Sequence, residues 1–114
     1  MTITIWHNPR CSKSRQTLSL LEQNGHTPTV VKYVETGPNA DQIRAVLTAL
    51  DITAIKLMRT GEKLFKELGL TRTDSDDDLI TAMVNHPILI ERPVVLHKNR
   101  AAIGRPPESV LEIL

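Results

Sequence analysis

Two apolar rhythms alternate along this chain, and their order limits the fold more than any other feature. Residues 2–6 alternate Thr and Ile and end at Trp6, the two-residue period of a strand. Asn8-Pro9 breaks that strand. Residues 12–24 carry Leu18, Leu20 and Leu21 at helical spacing, and Asn24-Gly25 is a helix stop. Thr29–Val34 is β-branched and reads as a second strand. After the turn Thr36-Gly37-Pro38-Asn39, residues 40–50 place Ile43, Val46, Leu47 and Leu50 on one helical face. Residues 53–58 and 61–68 read as short helices, the second ended by Gly69. Residues 76–85 form another helix, capped by Ser75 or Asp76, with Asp77 and Asp78 in its first turn and Pro87 beyond its end. Pro93–His97 is a strand with proline at its first position, where the missing N–H is tolerated. Lys98-Asn99 turns it into a short partner, Ala101–Ile103. Beyond Pro106-Pro107, the apolar Val110, Leu111, Ile113 and Leu114 predict a buried helical end. The order is β-α-β, then helices, then β-β-α. That is an α/β class chain with a mixed sheet, and residues 1–114 read as one domain.

Composition narrows the function classes. Hydrophobic residues are 40% and charged residues 24%, as in ordinary globular proteins. The formal charge of +1 is too small to hold the chain to nucleic acid by bulk electrostatics. A single cysteine excludes a disulfide scaffold and points to a reducing compartment. No apolar run approaches the ~20 residues of a membrane span, and the start lacks the basic region of a signal peptide. A cytoplasmic protein is expected.

The charge is unevenly placed. Residues 1–21 carry Arg10, Lys13 and Arg15 and no acid, and residues 92–107 carry Arg92, Lys98, Arg100 and Arg105 and no acid. Brought together by folding, the two stretches form an anion site; held apart, they are ordinary solvated loops.

Chemistry centres on Cys11, which follows a strand and a proline turn and opens a helix. The first N–H groups of a helix lack internal partners and carry the positive end of its dipole, so they favour thiolate over thiol. Arg10, Lys13 and Arg15 add positive charge. A free cysteine near pKa 8.5 is only about 3% thiolate at pH 7, and each unit of lowering brings up to tenfold more nucleophile. Ser14 is placed to aim its hydroxyl at the sulfur from the next turn. The motif is Cys11-x-x-Ser14, so any two-electron reduction needs a second thiol from outside the chain. The same helix start suits an oxyanion.

Two readings stand for His7: it tunes the thiol, or it is a loop histidine without a role. His26, His86 and His97 lack metal-ligand spacing, and no metal site is expected. Asp76, Asp77 and Asp78 fan out by about 100° each around a helix, which suits a cap rather than an ion site.

His7-Asn8-Pro9-x-Cys11-x-x-Ser14-Arg15, Tyr33-x-Glu35-Thr36, His86-Pro87-Ile88-Leu89-Ile90-x-Arg92-Pro93 and Gly104-Arg105-Pro106 together resemble the glutaredoxin-dependent arsenate reductase family, over essentially the whole chain. Arg10, Ser12 and Lys13 depart from the smaller or neutral residues often found around the family's cysteine. The resemblance implies a thioredoxin-like fold with a helical insertion between its halves. It implies that Arg59, Arg92 and Arg105 bind an oxyanion beside Cys11, where the planar guanidinium fork matches oxyanion geometry. It implies that His7 and Ser14 support the thiolate and that Arg92-Pro93 is a cis-proline site. It further implies arsenate as substrate, glutathione as co-substrate, glutaredoxin as partner and no bound cofactor, through a Cys11 thiol-arsenate adduct. A monothiol oxidoreductase acting on glutathionylated proteins or another oxyanion uses the same thiolate. An Spx-type regulator shares the fold but typically switches through Cys-x-x-Cys, which Ser14 replaces here.

Overall fold

The computed structural model describes residues 2–114. The chain divides into two compact units, one formed by the residues up to Thr36 with Arg92–Leu114, the other by Gly37–Glu91.

The first unit is a four-stranded sheet. Its strands are β1 (Ile3–Trp6), β2 (Thr29–Val31), β3 (Val94–His97) and β4 (Arg100–Ile103), in the order β2-β1-β3-β4. β2 runs parallel to β1 with Thr4 opposite Thr29, because the helix α1 (Ser12–Gln23) carries the chain back between them. β3 pairs antiparallel with both β1 and β4, with Ile5 opposite Val95 and Val95 opposite Ala102. The alternation of the first strand now has its cause. Ile3 and Ile5 point into a core cluster with Leu21, Val95, Val110 and Ile113. Each such side chain contributes roughly 1.5–3 kcal/mol by leaving water.

Three expectations change here. The second strand ends at Val31 rather than Val34, and Tyr33–Thr36 forms a short helical turn, α2. The Lys32 carbonyl accepts from Glu35 and Thr36 N–H, and the Tyr33 ring stacks on Trp6 at 6.5 Å between centroids. Those local bonds outweigh β-propensity, which is a weak preference. The last segment, Pro107–Ile113, is a 3-10 helix. With three residues per turn it buries Val110 and Ile113 and leaves Leu111 and Leu114 exposed. Finally, α1 buries Ser14 and Thr17 beside Leu21, so its inner face is partly polar, while Leu18 is only half-buried.

The second unit is helical. α3 (Ala40–Leu50) starts with a reciprocal cap: Gln42 N–H donates to Asn39 Oδ1, and Asn39 N–H donates to Gln42 Oε1. A 3-10 turn spans Ala54–Leu57, α4 spans Lys63–Glu67 and stops before Gly69 (φ +70°), and α5 spans Asp76–Asn85. Ser75, not Asp76, caps α5 by accepting from Asp78 N–H. A 3-10 turn at Pro87–Leu89 leads to an antiparallel bridge between Met58 and Ile90. Ile43, Leu57, Leu79, Met83 and Leu89 are fully buried. Among the described residues no helix is long and apolar enough to cross a membrane.

Gly104 lies where the first unit leaves no room for a side chain. A Cβ there would lie 2.5 Å from Thr17 Oγ1 and 2.8 Å from the Pro93 ring. Thr17 is fully buried and tied to the Lys13 carbonyl, so it has little room to yield. Gly104→Ala should therefore destabilise by about 1–3 kcal/mol in urea unfolding. Gly61→Ala, which meets nothing within 4 Å, should stay within about 0.5 kcal/mol. Equal midpoints for the two variants would show that this contact carries no stability.

Candidate active site

Cys11 is the N-cap of α1, with extended backbone (φ −97°, ψ 124°). The turn that brings it there is closed by Cys11 N–H donating to the Asn8 carbonyl, 3.0 Å, and by Arg10 N–H donating to Asn8 Oδ1, 3.0 Å. α1 begins at once, since Arg15 N–H donates to the Cys11 carbonyl. The half-buried sulfur thus faces the unpartnered amides of the first turn.

The second basic stretch arrives from the other end of the chain. Gly104 N–H donates to the Pro93 carbonyl, and Arg105 Nε donates to the Arg92 carbonyl at 2.8 Å. So anchored, Arg105 places Nη2 3.7 Å from Cys11 Sγ. The Arg92–Pro93 and Arg105–Pro106 peptides are both cis. Folding therefore joins the two acid-free stretches at the sulfur, the alternative that charge placement alone left open.

Burial pushes the Cys11 thiol up. The Ser14 N–H, the Arg92 charge, the Lys13 N–H and the Arg105 charge act against it and prevail, so the pKa is lowered. The expected direction holds, but its source differs. The neighbouring charges expected from Arg10, Lys13 and Arg15 are not the ones that act. Lys13 contributes its amide, and the effective guanidiniums are Arg92 and Arg105. Arg15 instead donates to the Pro9 carbonyl at 2.7 Å.

Ser14 also departs from expectation. Its hydroxyl accepts from Asn8 N–H at 3.0 Å and is bonded to His7 Nδ1 at 2.6 Å, so the residue reaches the sulfur through its amide. Ser14 is fully buried and His7 is 6% exposed. His7 is therefore no idle loop residue: it bridges the end of β1 to α1. Its pKa is held below the ordinary 6.5 by burial first, then by the charges of Lys32 and Arg15. Arg59 belongs to the second unit, where its N–H donates to the Leu89 carbonyl, its guanidinium reaches the Ile88 carbonyl at 3.4 Å, and Glu62 pairs with it at 3.2 Å. Sequence reasoning missed the bonds of Asn8, which close the turn, and Thr17, which lies in α1 against Gly104; Asn before Pro signals a turn but not which groups it bonds.

A mixed sheet, a thiol that opens the helix after its first strand, and a cis-proline segment that sends a guanidinium to that thiol define a thioredoxin-like protein with a single cysteine. Comparison with known proteins makes this specific. Residues 6–113 match the model of the ArsC family. An uncharacterized protein of Escherichia coli, YfgD, is 52% identical over 114 residues, spanning 98% of this chain and 96% of its own. An arsenate reductase of Neisseria meningitidis is 45% identical, spanning 98% of this chain and 97% of its own. The solved arsenate reductase from Vibrio cholerae superposes with a TM-score of 0.96 at 49% identity, over 100% of this chain and 98% of that one. The chain belongs to the ArsC family.

Two outcomes follow from these shifts. Iodoacetamide alkylation of Cys11 against pH should show a midpoint below the value of about 8.5 for a free thiol, and Arg105→Gln should move it upward; a midpoint at or above 8.5 would contradict the site. Because the His7 pKa lies lower in the folded chain than the unfolded 6.5, the unfolded state takes up its proton first. Its contribution is complete above pH 6.5 and is lost as pH falls toward the folded value. The urea midpoint should fall on acidification below pH 6.5, and His7→Asn should flatten that slope.

Proposed function

We propose that this protein is an arsenate reductase that uses Cys11 as nucleophile and glutathione with glutaredoxin as the source of electrons. The observation that carries the reading is the Cys11 sulfur itself. It is lowered in pKa, open to solvent on one side, and 3.7 Å from an anchored guanidinium. A thiolate beside fixed positive groups suits attack on the central atom of an oxyanion, because the same charges hold the ligand and stabilise the nucleophile. The likeness to proteins named arsenate reductases supports arsenate as that oxyanion.

The reaction proceeds in three steps. Cys11 thiolate attacks As(V) and a protonated oxygen leaves as water. A glutathione thiol then attacks arsenic in the thiol-arsenate adduct, and a second protonated oxygen leaves as water. Two sulfurs leave arsenic as a Cys11–glutathione disulfide, their two electrons reduce it to As(III), and arsenite departs. Glutaredoxin and a second glutathione regenerate the thiol. The chain has one cysteine, so both later thiols come from solution. Arg92 and Arg105 hold arsenate oxygens, and Arg59 supplies a third guanidinium when arsenate is bound. His7 and Ser14 keep the turn at Cys11 in shape. No bound cofactor is needed, and a reducing cytoplasm suits the chemistry.

Steady-state turnover of arsenate with glutathione and glutaredoxin tests this. Cys11→Ser should fall to the uncatalysed rate. Arg59→Ala and Arg92→Ala should each raise the arsenate KM about tenfold or more, the cost of losing a charged hydrogen bond. Mass spectrometry of arsenate-treated protein should show an adduct on wild type and none on Cys11→Ser. Wild type no faster than Cys11→Ser would refute the proposal, and deglutathionylation without arsenate turnover would assign the thiol to protein substrates instead.

A further inference from the structure

We propose that the groove between α1 and the start of the Pro107–Ile113 helix binds the γ-glutamyl arm of the reducing glutathione; this rests on the function proposed above. The groove lies wholly within the first unit and holds about 450 Å³, within the range of small-ligand sites. Arg15, Gln16, Ser19 and Gln23 form one wall, Pro107 and Glu108 the other.

Both walls start at the sulfur. α1 begins immediately after Cys11, and at 1.5 Å per residue Arg15 and Ser19 lie about 6 and 12 Å along it. Pro107 and Glu108 follow two and three residues after Arg105, whose guanidinium is 3.7 Å from Sγ. An extended tripeptide is about 10 Å long. Cysteine is the central residue of that tripeptide, so a thiol directed at arsenic on Cys11 leaves an arm of about half its length, enough to bring the γ-glutamyl end to Arg15.

The groove's chemistry selects a particular head group. Arg15 and Glu108 carry opposite charges in one groove, yet the described residues show no ion pair between them. Arg15 gives one N–H to the Pro9 carbonyl, and a guanidinium has four more. The γ-glutamyl group bears an α-carboxylate and an α-ammonium on a single carbon. It requires one cation and one anion side by side, which Arg15 and Glu108 supply, with the Gln16 amide next to them. A second arsenate would be repelled by Glu108.

The test uses two unreactive probes with isotope-labelled protein: S-methylglutathione, and its glutaryl analogue, which lacks the α-ammonium. S-methylglutathione should shift the amides of residues 15–23 and of Glu108 and Ser109. Glu108→Gln should weaken S-methylglutathione at least threefold and leave the glutaryl analogue unchanged, a difference that a general structural fault would not produce. In turnover the same variant should raise the glutathione KM by a similar factor with the arsenate KM unaltered. Shifts elsewhere, no shifts, or equal loss for both probes would overturn the assignment. Groove binding without arsenate turnover would sink the proposed reaction and keep the groove.

Discussion

The structure turns on a contest at one sulfur. Partial burial favours the neutral thiol, and two amides with two guanidiniums favour the anion strongly enough to win. The winning side is set by geometry. The amides of Lys13 and Ser14 face Sγ only because the chain leaves β1, closes a turn on Asn8 and enters α1 without a spacer. A thiol is a poor cap, so α1 forgoes roughly 1 kcal/mol that Ser or Asp would supply. It also has no acid in its first turn, whereas α5 has Asp76, Asp77 and Asp78 in the same place. α5 spends its dipole on stability; α1 keeps its dipole for an anion.

The guanidinium side depends on backbone closeness. Gly104, Pro93 and Thr17 meet at distances that admit no Cβ. This contact brings the 92–93 and 104–105 segments against α1, and the Arg92 carbonyl then anchors Arg105 beside the thiol. The site is thus braced by close packing. The charge that matters for a thiol need not be near it in sequence. Arg15, four residues away, gives one N–H to the Pro9 carbonyl and acts on His7 rather than on the sulfur.

The helical unit is built by different means. Reciprocal capping by Asn39 and Gln42, the Ser75 cap, and left-handed stops at Asp51 and Gly69 delimit its helices. Its apolar stripes are buried, among them Ile43, Leu57, Leu79 and Met83. Arg59 sits immediately after the Met58–Ile90 bridge, tied at its backbone to Leu89. A residue so placed has a fixed backbone, and its guanidinium pairs with Glu62.

Helix positions, the hairpin at Lys98-Asn99, the proline-led strand and the opening of a helix at Cys11 were all legible in the residues, because each depends on neighbours within about four positions: a period, a cap, a break. The over-long second strand shows the limit, since Tyr33 leaves it for a stacking partner, Trp6, far off in sequence. What only the tertiary structure decided was which charges and amides act on the sulfur. Ser14 serves through its N–H because His7 and Asn8 hold its hydroxyl, and Arg105 serves because strand pairing returns it to the start of the chain. Local chemistry is written along the chain, whereas electrostatics falls off with distance through space, and that distance exists only once the sheet has formed.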